Sequence, residues 1–148
     1  MLRTSFVVAT FALCLQVLPG AAQDFNAVEG FYSGQGEGEL TVDIAHIEND
    51  RYAISINTVV PMENDMPGCG GSIDGEVLLG KKGGNFFVEN EFYDPDGDTP
   101  SSQARYCEIG LAFDGSGGLV IDERDGCISY HGAACGFTGE LSHDAAGL

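Results

Sequence analysis

The sequence predicts an all-β fold: a small antiparallel up-and-down barrel or coiled meander of about eight strands, with two disulfides. Three observations point there. From Gly30 onward apolar and polar residues alternate with period two, the pattern of strands with one buried face. Turn-forming residues interrupt that alternation at short intervals, among them most of the 22 glycines. No helical stretch is expected after the leader, and no internal repeat or interdomain linker interrupts the chain.

Residues 1–22 read as a secretory signal peptide. Arg3 supplies the positive start, Phe6 to Leu18 the apolar run, and Pro19-Gly20-Ala21-Ala22 a break with small residues for cleavage. The apolar run is too short for a membrane span of about 20 residues. Leu13 precedes Cys14 where a lipoprotein site needs a small residue, so lipidation is not expected. Cleavage after Ala22 leaves Gln23 to Leu148, a length suited to one domain. The expected layout is an N-terminal tail at 23–29, a barrel at 30–141 and a loose C-terminal tail at 142–148.

The strands follow in order. Gly30 to Gly34 forms a short first strand. Leu40, Val42 and Ile44 alternate with Glu39, Thr41 and Asp43 in the second, and Tyr52, Ile54 and Ile56 mark the buried face of the third. A one-residue slip there would expose every isoleucine, which fixes the register. A proline-containing loop leads to Cys69 and a fourth strand with Ile73, Val77 and Leu79 on one side. Lys81-Lys82-Gly83-Gly84 turns the chain into a fifth, carrying Phe86, Val88 and Phe92. After a polar loop from Tyr93 to Ala104, Cys107, Ile109, Leu111 and Phe113 mark the sixth. Leu119 to Ile121 forms the seventh and Phe137 to Leu141 the last. Glycines inside strands, at Gly75, Gly110 and Gly139, suit bends at barrel corners.

Cys69, Cys107, Cys127 and Cys135 remain after the leader, an even count that in an exported chain implies two disulfides. Counting strand directions puts all four at one end of the barrel. The preferred pairing is Cys69–Cys107 with Cys127–Cys135; Cys107–Cys127 with Cys69–Cys135 is the alternative, because strands six and seven are hairpin neighbours.

Charge narrows the function classes. The chain carries 23 acids and six bases, a net of −17. Arg3 leaves with the leader, which holds no acid, so the exported chain carries −18. Such a field disfavours nucleic acid and anionic membranes and favours a cationic protein partner. The same acidity also suits solubility or saline surroundings.

No motif supports catalysis, and no metal or cofactor site is expected beyond weak calcium binding. Asp114-Gly115-Ser116-Gly117-Gly118 resembles a serine-protease nucleophile loop with its letters scrambled, but it lacks the required order and reads as a hairpin turn. Asp94, Asp96 and Asp98 are spaced like the start of a calcium loop. Thr99 then stands where the turn glycine belongs, and Arg105 where the bidentate glutamate does. This loop reads as solvated. His131, beside Tyr130 and between two cysteines, is expected to hold loop carbonyls in place. Lesser readings are a metal site shared with His46 or His143, or catalysis with Glu123, Asp125 or Ser129. Tyr130, His131, Asp94, Asp96 and Asp98 are the candidate binding residues.

The order Gly30-x-Tyr32-x-Gly34, Cys69-Gly70, Cys107 to Phe113 as Cys-x-Ile-x-Leu-x-Phe, then Tyr130-His131-Gly132-Ala133-Ala134-Cys135-x-Phe137-x-Gly139 resembles small exported bacterial β-domains. Some of these accompany or look like lysozyme inhibitors. The resemblance spans Gly30 to Leu141 and implies an exported β-barrel; with the charge and the lack of a catalytic motif, the leading reading is a periplasmic or secreted, monomeric, non-enzymatic protein-binding module that inhibits a cationic enzyme such as lysozyme. The Ser or Lys loop that such inhibitors often present to the enzyme cleft does not map onto this chain. The alternative reading is a carrier of a small apolar ligand, or a structural envelope protein.

Overall fold

The computed structural model describes residues 28–64 and 67–146. The expected leader and most of the expected tail at 23–29 lie outside the described residues. Eight strands run in order: β1 (Gly30–Gly36), β2 (Glu39–Glu48), β3 (Arg51–Val60), β4 (Cys69–Leu78), β5 (Gly83–Glu89), β6 (Tyr106–Phe113), β7 (Gly118–Asp125) and β8 (Gly139–His143). They form one antiparallel sheet ordered β4-β3-β2-β1-β8-β7-β6-β5. Every neighbour is also a sequence neighbour, except that β1 pairs with β8 and so joins the two halves. The result is the expected up-and-down barrel, nearly closed.

The seam lies between β4 and β5. Apart from the isolated bridge Gly80↔Gly83, no ladder joins these strands among the described residues. Side chains fill the seam instead. A Cβ at Gly75 of β4 would lie 3.1 Å from the Phe86 ring of β5 and 3.7 Å from Val88. A missing side chain on one edge thus admits an aromatic ring from the other. The other two glycines expected at barrel corners lie under large neighbours as well, Gly110 beneath the Arg124 guanidinium and Gly139 against Leu40.

The alternation places the core as expected. Leu40, Val42, Ile44, Ile54, Ile56, Ile73, Val77, Leu79, Phe86, Ile109, Leu111, Leu119 and Ile121 are all buried. An eight-stranded barrel is just wide enough for side chains to fill, and Tyr32, Phe86 and Phe137 take the largest share of that space. At the end away from the cystines, the Tyr32 hydroxyl donates to the Val28 carbonyl at 3.1 Å. Its ring meets the His143 ring edge-on at 4.9 Å. Burial, with the Asp114 charge adding to it, pushes the Tyr32 hydroxyl up to about 12.

Five expectations need correction. The cystines are Cys69–Cys135 and Cys107–Cys127, the alternative pairing rather than the preferred one. Cys107 and Cys127 meet with Cα atoms 4.4 Å apart because the chain folds inward as soon as the β6–β7 hairpin ends. A helix, α1 (Pro100–Gln103), stands in the polar loop where none was expected. Thr99 caps it, accepting from the Ser102 N–H at 3.2 Å, and Pro100 opens it where a missing N–H costs nothing. Phe92 is not in the fifth strand, which ends at Glu89, and is 74% exposed. The last strand starts at Gly139, later than expected, and continues through Ser142 and His143, where a loose tail was expected. It does so because β1 offers Ser33 and Tyr32 as partners. Finally, Val28, assigned to the N-terminal tail, is buried.

Candidate functional site

The cystine end of the barrel is built from two loops, and the first crosses the barrel mouth. After β7 the chain makes a 3-10 turn (Cys127–Ser129), entered through Gly126 at φ 73°. It reaches the opposite side of the barrel, where His131 bridges Gly71 of β4. The Ser72 N–H donates to the Tyr130 carbonyl at 3.0 Å and the Gly132 N–H to the Gly70 carbonyl at 3.3 Å. The approach is close enough to require glycine, since a Cβ at Gly71 would collide with the His131 Cβ. Cys135 then locks the crossing to Cys69, and buried Phe137 brings the chain back to β8.

His131 lies inside this crossing, its side chain 7% exposed. One ring nitrogen, Nε2, stands 3.0 Å from a Glu123 carboxylate oxygen, and the other, Nδ1, stands 2.8 Å from the Gly132 carbonyl. The second Glu123 oxygen accepts from the Phe137 N–H at 2.9 Å, and the Glu123 N–H donates to the Thr138 hydroxyl at 3.1 Å. The Phe137 ring meets the imidazole edge-on at 5.2 Å. Burial works against the imidazolium here. The Gly132 carbonyl and the Glu123 and Glu37 carboxylates outweigh it and hold the His131 pKa above its ordinary value. Both Glu123 oxygens and both imidazole nitrogens are thus engaged in holding the loop, the role expected of His131. The shared-metal reading does not hold, because His46 and His143 face the other end of the barrel: His46 against Tyr52, and His143 against Tyr32.

The second loop runs from Asn90 to Arg105 and is pinned from below. Asn90 is buried, and its side-chain amide donates to the Ala104 carbonyl at 2.8 Å and the Gly126 carbonyl at 3.0 Å. One side chain thereby ties this loop to the start of the first. Within it the Asp94 N–H donates to the Ser102 carbonyl and the Gln103 amide to the Gly97 carbonyl. Asp94, Asp96 and Asp98 are all exposed, and Asp94 uses one oxygen to accept from the Asp96 N–H at 3.0 Å. No group of three or more metal-ligating side chains converges among the described residues.

The two loops meet beside Glu89. The Tyr130 hydroxyl donates to the Glu89 carbonyl at 3.1 Å, while burial and the Glu91 charge raise its pKa. The Glu89 carboxylate accepts from Arg105 at 3.0 Å. The Arg105 guanidinium in turn lies 5.9 Å from the Tyr93 ring centre and 5.2 Å from that of Tyr106. Of the candidate residues, Tyr130 and the acidic loop therefore share one rim, while His131 sits beneath it. Sequence reading missed Asn90, Glu89, Arg105 and the two tyrosines. An isolated aromatic or asparagine in a polar loop carries no periodic signal, and the pairing of β5 with β6, together with the turn at Asn90 to Tyr93, brings these residues together.

Asp114 to Gly118 is the expected hairpin turn. Asp114 accepts from the Ser116 and Gly118 N–H groups, which hold its carboxyl below the usual range, and Gly115 and Gly117 adopt positive φ. No family model, curated protein or solved structure matches the chain.

Proposed function

We propose that this is an exported, non-enzymatic binding module that engages a cationic protein, with an envelope-attacking enzyme such as lysozyme as the favoured target. The observation that carries this reading is where the few positive charges lie. Arg51, Arg105 and Arg124 are each paired with carboxylates. Lys81 and Lys82 sit in the turn between β4 and β5, at the end away from the cystines. Among the described residues, Glu37, Glu89, Glu91, Asp94, Asp96 and Asp98 of the cystine-end rim outnumber Arg105, and nearby Arg124 is already taken up by Glu108 and Asp122. A field so polarised speeds encounter with a basic surface and orients it toward that rim.

Rigidity supports the same reading. Two cystines and the Asn90 anchor fix the rim before any partner arrives, which lowers the ordering cost of binding. With the interior packed by Tyr32, Phe86 and Phe137, the outer surface is where a partner would act. Two disulfides suit an oxidising compartment, and no helix among the described residues is long and apolar enough to cross a membrane. Periplasmic residence or secretion, as a monomer, fits this role. The test is a turbidity assay of lysozyme on cell walls at low ionic strength. Purified protein at micromolar concentration is expected to slow clearing, and the effect should fade with added salt. Unchanged clearing at every concentration would sink the proposal.

A further inference from the structure

The cystine-end rim holds an unusual set of exposed aromatics. Phe92 is 74% exposed, Tyr106 42% and Tyr93 38%. Tyr106 and Glu89 are direct cross-strand partners, and Phe92 and Tyr93 leave the sheet just beyond. Aromatic and arginine side chains are the residue types that concentrate binding energy at protein interfaces. Glu89, Glu91, Asp94 and Asp96, all exposed, lie in or beside the same loop.

Arg105 reveals what this arrangement can hold. Its guanidinium rests near two tyrosine faces with the Glu89 carboxylate at one end, the three groups that recognise a cationic side chain. This contact is open to water, with side chains of Arg105 and Glu89 each more than half exposed. An exposed pair of this kind contributes little, so it gives way readily to a better-placed partner. The loop bearing Phe92 and Tyr93 is held by Asn90 and by its own capped helix, which presents the rings without further ordering.

We infer that Phe92, Tyr93 and Tyr106 form an aromatic shelf on which a basic protein docks, its lysine or arginine side chains lying on the rings between Glu89, Glu91 and Asp94. This rests on the functional reading above and deepens it by naming the contact surface. A separate acidic lane, formed by Asp43, Asp74 and Glu76 on β2 and β4, offers charge without aromatic faces. It serves as the control.

The experiment measures binding of lysozyme, and of a panel of other basic proteins, to the full exported chain at low ionic strength. The triple variant Phe92→Ala/Tyr93→Ala/Tyr106→Ala leaves the net charge unchanged. It is expected to weaken binding at least about tenfold, as truncation of interface aromatics does. Tyr93→Phe/Tyr106→Phe, which keeps both ring faces, should stay within about threefold of wild type. Asp43→Asn/Asp74→Asn/Glu76→Gln should do likewise, although it removes three charges. Melting curves confirm that each variant is folded. If the triple variant does not fold, Phe92→Ala alone is expected to weaken binding about threefold or more. A folded shelf variant that binds as wild type does, or a lane variant that loses binding in its place, overturns the shelf and leaves the functional reading standing. Failure of the wild-type protein to bind any basic protein overturns both.

Discussion

His131 meets an acceptor at each ring nitrogen, the Gly132 carbonyl and the Glu123 carboxylate. A neutral imidazole can donate only one of those bonds, so the site as built calls for the doubly protonated ring. Its folded pKa is raised, and the sign of the pH dependence follows. The stabilisation is fully present below the unfolded value of about 6.5 and is lost as pH climbs through the higher folded value. Urea midpoints are therefore expected to fall between pH 6 and alkaline conditions, more steeply in wild type than in His131→Asn. Equal slopes in the two proteins would show that the ring does not bear this charge. Below the window, His131→Asn should itself cost about 1.5–3 kcal/mol, the range for hydrogen bonds to charged groups. The sequence allowed this structural role to be read, and Glu123 was among the neighbours it offered. The choice of Glu123 over Asp125 depends on the irregular register between β6 and β7 beside Glu108, which no residue pattern announces.

At the scale of elements, the loop between β7 and β8 is more than a connection between neighbouring strands. Those strands adjoin, yet the chain between them travels to β4, half the barrel away, and returns. The seam beside β4 explains the detour, because its outer edge has free ladder positions at Gly70 and Ser72 that the loop fills. An uncovered edge is otherwise a template for association. Period-two alternation made the strands legible, since each buries one face. Cystine pairing was not legible, because it depends on a crossing that alternation does not encode. The capped helix was only half hidden: Thr99-Pro100 followed by Ser102 is a start signal, but four residues give no periodicity. Peptide mapping without reduction should recover the segment of Cys69 joined to that of Cys135; a link to Cys107 would refute the crossing. Replacing Cys69 and Cys135 by Ala opens a loop with a sequence separation of 66 and should cost about 4 kcal/mol. The Cys107–Cys127 pair, separated by 20, should cost about 3 kcal/mol from loop entropy. Cys107 and Cys127 both belong to the core, whereas of the other pair only Cys135 is buried, so the larger packing loss should bring denaturant melts of the two variants closer together than loop length alone implies.

For the whole molecule, the balance of charge opposes the compact state. Among the described residues, three arginines are paired, two lysines lie at one end, and most carboxylates are in no ion pair. Added salt has two opposite effects on such a surface. It weakens the exposed ion pairs, each of which contributes little, and it screens repulsion among the acids. With 23 acids against five bases after leader removal, the repulsive pairs far outnumber the attractive ones. Screening should therefore win, and the melting temperature should rise with sodium chloride across the range in which the Debye length shrinks from about 30 to 3 Å. A gain of about 1 kcal/mol would move the midpoint by roughly 3–6 °C in a domain of this size. Binding to a basic protein should weaken over the same range. Stability and affinity thus run in opposite directions with salt if one charge field governs both. A melting temperature that falls as salt is added would place the ion pairs, rather than the unpaired acids, in control of the fold.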